Sequence, residues 1–452
     1  MIVFDRIYKK RNGGEPVNLP KKVAFIINEI EKAGFEAFAV GGCVRDTLLG
    51  REPDDWDITT SAKPEEIKSI FRSTVDTGIQ HGTVTVIIEK EGFEVTTYRI
   101  DGEYEDSRHP KEVVFTSNLI EDLKRRDFTI NAMAYNDKCG IVDEFGGMED
   151  IKNKIVRCVG NPKERFTEDA LRIMRAVRFA AQLGYEIDYA TREAMKALAP
   201  NLQNISAERI CVELTKLIVS KNPDYIRDAY ELGITKEILP EFDEAMRTEQ
   251  NHPHHCFSVG EHILHGLKNV EEDKVLRFAI LFHDLGKVQT RTTDEDGFDH
   301  FYGHANVSAD IANQICRRLR FDNDTRTKVV RLVKYHDIKI ELTSKAVRKA
   351  IHLVGEELFP LLIKMKRADM LAKSSLKRTE NLERLEYIEA IYTDILEQQQ
   401  CLSLKMLAVT GKDLLDAGMQ PGKEIGETLN GLLEIVLEEP EKNTKEYLMG
   451  QI

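Results

Sequence analysis

The spacing of hydrophobic residues divides the chain into two parts with different periodicities. Between residues 18 and 150, short runs rich in Val, Ile, Thr and aromatic residues alternate with helical segments, as in "FEAFAVGG", "DWDITT", "GTVTVIIE" and "FEVTTYRI". From about residue 163, apolar residues recur at helical spacing, as in "ALRIMRAVRFAAQLG" and "AERICVELTKLIV". The pattern predicts an α+β fold, in which a small mixed sheet with helices is followed by an all-α remainder.

The changes in hydrophobic periodicity along the chain predict four domains. They are a head over 18–150, a helical neck over 151–222, a helical body over 223–375 that carries a histidine-rich segment, and a helical tail over 376–452. The 452 residues are enough for about three domains that each bury a core. One interpretation of the first sixteen residues is a disordered basic arm.

Composition and charge exclude several classes of protein. The net charge of −13 argues against wholesale wrapping of nucleic acid, although a local basic groove remains compatible with it. The seven cysteines form no C-x-x-C pair, which favours reduced thiols and a cytoplasmic location. The chain begins without the long apolar segment of a signal peptide, and we expect no membrane-spanning helix.

The acidic segment "EPDDWDITT" is the first candidate for chemistry. In a strand, Asp55 and Asp57 project to one face while Trp56 turns to the core. Two parallel carboxylates repel each other unless a cation lies between them, and oxygen ligands suit Mg²⁺. A solvated strand edge is the alternative. Upstream, "VGGCVRD" adds glycines before a helix, with Gly42 and Arg45 suited to phosphate, which favours phosphoryl or nucleotidyl transfer.

Four blocks carry a resemblance to a known family: "VGGCVRDTLLGREPDDWDITT", "RRDFTINAMA", "RFTEDALRIMRAVRFAAQLG" and "ISAERICVELTKLI". In this order they resemble the polymerase-β-type nucleotidyltransferases, in the bacterial tRNA nucleotidyltransferase and poly(A) polymerase branch. The resemblance covers roughly half the chain and implies a catalytic head. It assigns Asp55 and Asp57 to catalytic Mg²⁺, Gly42 and Arg45 to the triphosphate, and Arg126 to another nucleotide contact.

Relatives of this fold often have a third catalytic carboxylate on a neighbouring strand. Glu94, in "FEVTTYRI", is the candidate that the resemblance points to.

One helix offers groups that can distinguish nucleotides. Four charged residues recur at three-residue steps along this helix: Asp169, Arg172, Arg175 and Arg178. The alternative interpretation is a surface helix with a weak ion pair between Asp169 and Arg172. Cytosine and adenine share an amino donor beside a ring-nitrogen acceptor, which an accepting Asp and a donating Arg match; uracil and guanine present the reverse. The resemblance assigns this templating role to Asp169 and Arg172, and it adds Arg175 and Arg178 to the nucleotide pocket.

The expected activity is addition of CCA to the 3′ end of tRNA from CTP and ATP. The segment "RIDGEYEDSRHP" (99–110) resembles the flexible loop of members that add all three residues. tRNA has to be held by shape and backbone, and the tail is expected to contribute. The alternatives are a poly(A) polymerase of the same branch, or a metal-dependent phosphohydrolase with an RNA-binding head.

The histidine-rich segment resembles the HD superfamily of metal-dependent phosphohydrolases through "FHDLGK". The resemblance maps metal ligands to His255, His283, Asp284 and Asp337, with His304 as an extra ligand. Imidazoles with carboxylates suit a transition metal. The alternative is a helical fold that has lost its metal.

Overall fold

The structure is a computed structural model that describes residues 17–102, 113–251 and 257–452. The expected basic arm, most of the expected mobile loop and the expected ligand His255 lie outside the described residues. The chain forms two compact units, one up to Ile238 and the other from Leu239 to Ile452. The first unit contains the predicted head and neck, and the four-domain division itself stays a prediction. Among the residues described, no helix is both long and apolar enough to cross a bilayer.

The first unit is built on a seven-stranded mixed sheet. The strands of this unit are β1 (Ala37–Val40), β2 (Ile58–Thr60), β3 (Thr74–Gly78), β4 (Thr83–Ile88), β5 (Glu91–Thr97), β6 (Arg99–Asp101), β7 (Val113–Phe115), β8 (Ala134–Asn136), β9 (Gly140–Val142), β10 (Ile155–Val156) and β11 (Glu186–Ile187). The order of the strands in the sheet is β3-β4-β5-β2-β1-β8-β9. Strands β6 and β7 form a separate antiparallel pair, and β10 and β11 form a parallel one. The predicted α+β class is confirmed.

The helices of the first unit cover the sheet and then continue as a helical layer. They are α1 (Lys21–Lys32), α2 (Gly42–Leu48), α3 (Pro64–Ile70), α4 (Leu119–Lys124), α5 (Gly147–Asn153), α6 (Pro162–Glu168), α7 (Leu171–Leu183), α8 (Tyr189–Leu198), α9 (Ala207–Ile218), α10 (Ile226–Glu231) and α11 (Ile234–Ile238). Helix α1 shows why they pack: Val23, Ile26 and Ile30 recur at helical spacing and are fully buried in the core that also contains the sheet.

The acidic segment enters the sheet later than the sequence pattern suggests. Strand β2 begins at Ile58, so the three residues before it form an extended lead-in rather than part of the strand. The backbone carbonyl of Asp57 still accepts a hydrogen bond from Val40 N at 3.0 Å, which ties the lead-in to the end of β1. Trp56 is half-buried and packs against the head core as expected, although it lies before the strand rather than within it.

The second unit is almost entirely helical in its described part. Its elements are α12 (Pro240–Arg247), α13 (Val259–Lys268), α14 (Lys274–Phe282), α15 (Lys287–Thr290), the hairpin β12 (Thr292–Thr293) and β13 (Asp299–His300), α16 (His304–Arg318), α17 (Asn323–Tyr335), α18 (Ser344–Val354), α19 (Phe359–Ala372), α20 (Arg378–Glu397), α21 (Gly411–Asp416), α22 (Lys423–Glu438) and α23 (Lys445–Met449). The end of the chain has its own apolar core, in which Leu433, Val436 and Leu437 of α22 are buried with Leu448. The prediction of a helical remainder is therefore confirmed.

Replacing Gly260 by Ala should destabilise the second unit by about 1–3 kcal/mol. A Cβ at Gly260 in α13 would lie 2.6 Å from the Cα and 2.7 Å from the N of Met246 in α12, so the backbones would have to separate. Gly426→Ala in α22 is the matched control, because a Cβ there meets nothing within 4 Å and should stabilise by about 0.5–1 kcal/mol. Urea unfolding followed by circular dichroism measures both. Equal effects of the two substitutions would contradict the close crossing of α12 and α13.

Candidate functional site

Three carboxylates lie near one another at the end of the sheet where β2 begins, which we call the acidic edge. Strand β2 runs parallel to β5, with Ile58 opposite Val95, so Asp57 and Glu94 precede paired residues on adjacent strands. Burial, together with the charges of Asp57 and Asp55, raises the pKa of Glu94. Burial also raises the pKa of Asp57, and the Asp55 charge adds to this. The groups therefore repel one another, and carboxylate oxygens are the kind of donor that suits a divalent cation.

An arginine lies beside this acidic edge. The positive charge of Arg126 lowers the pKa of Asp57, partly offsetting the effect of burial. Arg126 Nη1 lies so close to Gly41 that a Cβ there would be 3.0 Å away, and Gly41 has a φ of 85°, where glycine is favoured. Arg126 Nε is buried and has no hydrogen-bond partner within the described part of the chain. The structure thus brings Arg126 to Asp57 and to the turn before Gly42, where α2 begins.

Arg45 is buried and held by protein groups rather than presented to solvent. Its Nη1 donates to Asn131 Oδ1 at 2.6 Å, while Nε and Nη2 donate to the two Asp46 oxygens at 3.0 and 2.7 Å. Its guanidinium carbon lies 5.1 Å from the centre of the Phe179 ring. Arg45 therefore connects the start of α2 to the segment before β8 and to α7.

A buried ionic network joins that segment to α7 and α9. Asp127 Oδ2 accepts from Arg175 Nε at 2.7 Å, and Asp127 Oδ1 accepts from Asn131 Nδ2 at 3.2 Å. Glu213 Oε2 accepts from Arg178 Nε at 2.7 Å. Burial would raise the pKa of Asp127, but Arg175 and then Arg172 outweigh it and lower that pKa to about 2. The network therefore keeps the Asp127 carboxylate ionised inside the protein.

The aromatic ring of Phe179 lies within this cluster of arginines. The guanidinium carbon of Arg178 is 3.6 Å from the ring centre and that of Arg175 is 5.4 Å away. Phe128 packs against the same ring edge-to-face at 5.7 Å. Sequence reasoning assigned the arginines but missed their partners Asp127, Glu213 and Phe179. All three lie in the quoted blocks, yet only the fold shows which charges they meet.

The two expected template residues are also engaged by protein groups. Asp169 follows α6 in an extended conformation, and its Oδ1 accepts from Leu171 N at 3.0 Å. Asp169 Oδ2 accepts from Arg209 Nη2 at 2.8 Å. Arg172 Nη1 donates to Glu168 Oε2 at 2.8 Å. Glu168 and Arg209 were not predicted from the sequence.

The surface-helix alternative is wrong for this segment. Arg172 and Arg178 are 9% and 7% exposed, and most of α7 is buried. Arg172 Nη2 also donates to the carbonyl of Arg125 at 3.1 Å. Arg172 and Arg178 thus belong to the interior of the first unit, whereas Asp169 and Arg175 are partly exposed.

In the second unit, four histidines direct Nε2 toward one carboxylate, that of Asp284. The other ring nitrogen of each lies near a backbone carbonyl: His262 Nδ1 at 3.4 Å from Ala372 O, His283 Nδ1 at 2.7 Å from Ile280 O, His304 Nδ1 at 2.9 Å from Phe301 O, and His336 Nδ1 at 2.7 Å from Val333 O. A carbonyl only accepts, so in the neutral ring Nδ1 carries the proton and Nε2 presents a lone pair. This arrangement is typical of histidines that ligate metals.

The histidines form two groups that share Asp284. The first group is His262, His283, Asp284 and Asp369, and the second is Asp284, His304 and His336. Asp284 Oδ2 lies 3.3 Å from His262 Nε2 and 3.4 Å from His283 Nε2, whereas Oδ1 lies 3.4 Å from His304 Nε2 and 3.7 Å from His336 Nε2. Each carboxylate oxygen therefore serves one group.

The electrostatics of the cluster fit a bound cation. The Nε2 atoms of His304 and His336 are 3.1 Å apart, and two lone pairs at that distance repel unless a metal or a proton lies between them. His283 Nε2 and Asp284 Oδ2 are buried and lack a hydrogen bond to any residue that the structure describes, although Lys287 Nζ forms an ion pair with Asp284 Oδ2 at 2.7 Å. Imidazole and carboxylate donors suit a transition metal.

The predicted ligands are only partly brought together. His283, Asp284 and His304 lie in the cluster. Asp337 is exposed and belongs to neither group; its neighbour His336 faces Asp284 instead. The carboxylate that completes the first group is Asp369 of α19, whose Oδ1 lies 3.0 Å from His262 Nε2. A single Asp in the apolar segment "KRADMLA" gives no signal of this role in the sequence.

Replacing Asp127 by Asn should lower the free energy of unfolding of the first unit by about 3–5 kcal/mol at pH 7, because it leaves Arg175 without its nearest carboxylate. Trp56, the single tryptophan, lies in this unit, so its fluorescence during urea unfolding reports the loss. Asp76→Asn, which removes an exposed pair with Lys68, is the control and should cost at most about 1 kcal/mol.

The same substitution has an expected pH dependence. The pKa of Asp127 is about 2 in the folded protein, below the roughly 3.9 of an unfolded chain, so its stabilisation is present above pH ~4. It is lost as the pH falls through the folded value. The difference between wild type and Asp127→Asn should therefore shrink from pH 7 to pH 3. A difference that grows on acidification would contradict this ion pair.

Comparisons with known proteins find similar family models, relatives and solved structures. Family models match residues 37–157 (Poly A polymerase head domain), 184–246 (the RNA and SrmB-binding site of polymerase A) and 289–452 (tRNA nucleotidyltransferase domain 2). The crystal structure of the Bacillus stearothermophilus CCA-adding enzyme in complex with CTP is 28% identical, with a TM-score of 0.70 over 95% of this chain and 96% of that one. A Thermotoga maritima CCA-adding enzyme complexed with tRNA, at 21% identity and a TM-score of 0.55, shares the fold.

Relatives in sequence carry the same name. The CCA-adding enzyme of Ligilactobacillus salivarius is 54% identical over 209 residues, which is 46% of this chain and 52% of the relative, so this match spans about half the length of that protein. The CCA-adding enzyme of Lactobacillus helveticus is 34% identical over 429 residues, covering 94% of both chains. The chain therefore belongs to the family of CCA-adding enzymes.

Proposed function

We propose that the protein adds CCA to the 3′ end of tRNA from CTP and ATP and releases pyrophosphate. The observation that carries this is the acidic edge of Asp55, Asp57 and Glu94, which lies in a head of this family and has Arg126 beside it. The name of the Bacillus relative, which was crystallised with CTP, supports the choice of substrate. The Thermotoga relative supports tRNA as the acceptor.

The family implies dependence on a divalent metal, and we propose Mg²⁺ as that metal. Asp55 and Asp57 would bind it, with Glu94 as the third carboxylate, because hard oxygen donors are what Mg²⁺ prefers. A bound divalent cation supplies positive charge to the triphosphate and to the attacking hydroxyl. The chain itself would place the triphosphate through Arg126 and the turn at Gly42.

Nucleotide selection would come from the start of α7. Asp169 accepts hydrogen bonds and Arg172 donates them, so together they match the amino group and ring nitrogen that cytosine and adenine share. Arg175, Arg178 and Arg45 surround Phe179 and would form the wall of the nucleotide pocket. Their charges are held in place by the buried carboxylates described above.

The two alternatives are weaker. A poly(A) polymerase would share the head, but the Lactobacillus helveticus relative, which matches over 94% of this chain and 94% of its own length, is named a CCA-adding enzyme. A phosphohydrolase whose head only binds RNA does not account for the three carboxylates at the sheet edge. The basic contacts to tRNA, the role of the tail and the cytoplasmic location stay predictions.

Replacing Asp55 or Asp57 by Ala should abolish addition, with a fall of at least about 10³-fold in kcat, because the metal-bound chemistry is lost. The assay supplies tRNA that lacks its CCA end together with labelled CTP and ATP. Asp54→Ala is the matched control, since Asp54 is exposed and precedes the pair. Wild type should add three residues and require both nucleotides. Long A tracts from ATP alone would favour the poly(A) alternative, and full activity of Asp55→Ala would refute the metal assignment.

The histidine cluster of the second unit supports a second candidate function. We propose that His262, His283, Asp284 and Asp369 bind a transition metal, with His304 and His336 as further ligands around the other oxygen of Asp284. A centre of this kind can hydrolyse a phosphate ester, such as a 2′,3′-cyclic phosphate at an RNA end. The observation that favours it is the convergence of four Nε2 lone pairs on one carboxylate.

Substituting single residues should distinguish the ligand set seen in the structure, which contains Asp369 and His262, from the set predicted from sequence, which contains Asp337. Asp369→Asn and His262→Gln should lower the affinity for Ni²⁺ or Co²⁺ by at least about tenfold, because each removes one donor. Asp337→Asn should bind as wild type does, since Asp337 is exposed and outside the cluster. Isothermal titration on the full chain measures the affinity, and hydrolysis of a 2′,3′-cyclic phosphate is assayed in parallel. Loss of metal in Asp337→Asn alone would restore the ligand set predicted from sequence.

A further inference from the structure

We propose that Arg209 is a specificity-determining residue of the nucleotide site. One nitrogen of its guanidinium fixes the carboxylate plane of Asp169, and the other donates a hydrogen bond to the edge of the bound base. The inference rests on the proposed function, because it concerns how CTP and ATP are told from UTP and GTP.

The position of Arg209 calls for a specific partner. It is the third residue of α9, and a cation in the first turn of a helix opposes the helix dipole. Its Nη2 donates to Asp169 Oδ2 at 2.8 Å, and the two side chains are only 24% and 16% exposed. The side chain therefore lies against Asp169 rather than in solvent, even though its charge is unfavourable at the start of its own helix.

The second nitrogen of Arg209 is left without an acceptor. Nη1 is buried and has no hydrogen-bond partner in the described ranges of the chain. A buried guanidinium N–H that lacks an acceptor is unfavourable, so the site is completed when a ligand supplies one. The guanidinium is a rigid planar fork, so an acceptor bonded to Nη1 must lie next to Asp169. That position corresponds to the base that Asp169 contacts, rather than to the triphosphate.

Fixing Asp169 matters for rejection as well as for binding. Its Oδ1 accepts from Leu171 N and its Oδ2 from Arg209, so neither oxygen can swing away from an incoming base. Each oxygen retains a further lone pair that can accept from the amino group of cytosine or adenine. Uracil and guanine present a carbonyl there, and two facing acceptors repel. A carboxylate held by one bond could rotate to avoid that repulsion, whereas a carboxylate held at both oxygens cannot.

The test compares Arg209→Gln and Arg209→Lys with Arg192→Gln. Arg192 is an arginine of the same unit that pairs with two carboxylates, Asp228 and Glu231, and it does not contact Asp169, so it controls for the loss of an ion-paired arginine. For each variant, kcat and KM are measured for CTP, ATP and UTP on tRNA that lacks its end. Equilibrium binding of CTP, cytidine and UTP without tRNA gives a readout independent of turnover.

Arg209→Gln should increase the ratio of UTP to CTP in kcat/KM by about tenfold or more, mainly through a higher KM for CTP. Arg209→Lys should restore part of the discrimination, because it keeps the charge but not the fork. The weaker binding should appear with cytidine as well as with CTP, whereas a loss confined to CTP would mean a phosphate contact and overturn the base assignment. Arg192→Gln should discriminate as wild type does.

The outcomes separate the two proposals. If wild type adds CCA and Arg209→Gln only lowers the urea midpoint while keeping its discrimination, Arg209 is structural and this inference fails while the proposed function stands. If wild type uses neither CTP nor ATP, the proposed function fails, and the inference fails with it.

Discussion

The first unit depends on ion pairs that hold arginines inside the protein. Asp127 and Glu213 are 7% and 5% exposed, and together they neutralise Arg175 and Arg178, which no apolar interior would otherwise accept. Asp127 comes from the segment before β8, whereas Glu213 comes from α9, so the pairs fix α7 between them. Asn131 extends the same network to Arg45. The proposed catalytic edge and the proposed nucleotide pocket are positioned by one set of buried charges.

This arrangement explains why local sequence patterns predicted the charged residues of the site but not the contacts that they make. Asp55 and Asp57 were predicted from a local motif, although strand β2 begins only at Ile58, and the α+β class followed from periodicity. The partners of the arginines depend on which helices cross, which no local pattern specifies. Glu168, Arg209 and the pair Asp127 and Glu213 were therefore missed, even though each lies in a block whose family resemblance was clear. Arg45 was predicted to contact the triphosphate, and the contacts of its guanidinium with Asp46 and Asn131 could not be read from the sequence.

The histidine cluster was also only partly predictable from the sequence. The adjacent His283 and Asp284 were predictable, because a charged pair ending an apolar helix is locally conspicuous. The remaining residues of the cluster come from α13, the start of α16, the end of α17 and α19, and only the tertiary fold brings them together. The backbone orients two of these rings. Carbonyls near the ends of helices lie within hydrogen-bond distance of Nδ1 of His283 and His336, so both Nε2 atoms point toward Asp284. Exposed Asp337 has no such constraint, and its neighbour takes the place predicted for it.

The two proposed template residues, Asp169 and Arg172, differ in how readily each could contact a base. Arg172 donates to Glu168 and to two backbone carbonyls, so a base that needs its donors has to share or replace an existing acceptor. Asp169 is different, because its oxygens keep free lone pairs while the carboxylate stays fixed. The two template groups are thus unequal: the carboxylate is already oriented to accept an amino group, and the guanidinium acts only after its own contacts adjust. If Asp169 and Arg172 select the base as proposed, discrimination by the fixed carboxylate would precede engagement of the arginine, so a base with a carbonyl at that position would be rejected before Arg172 has to move.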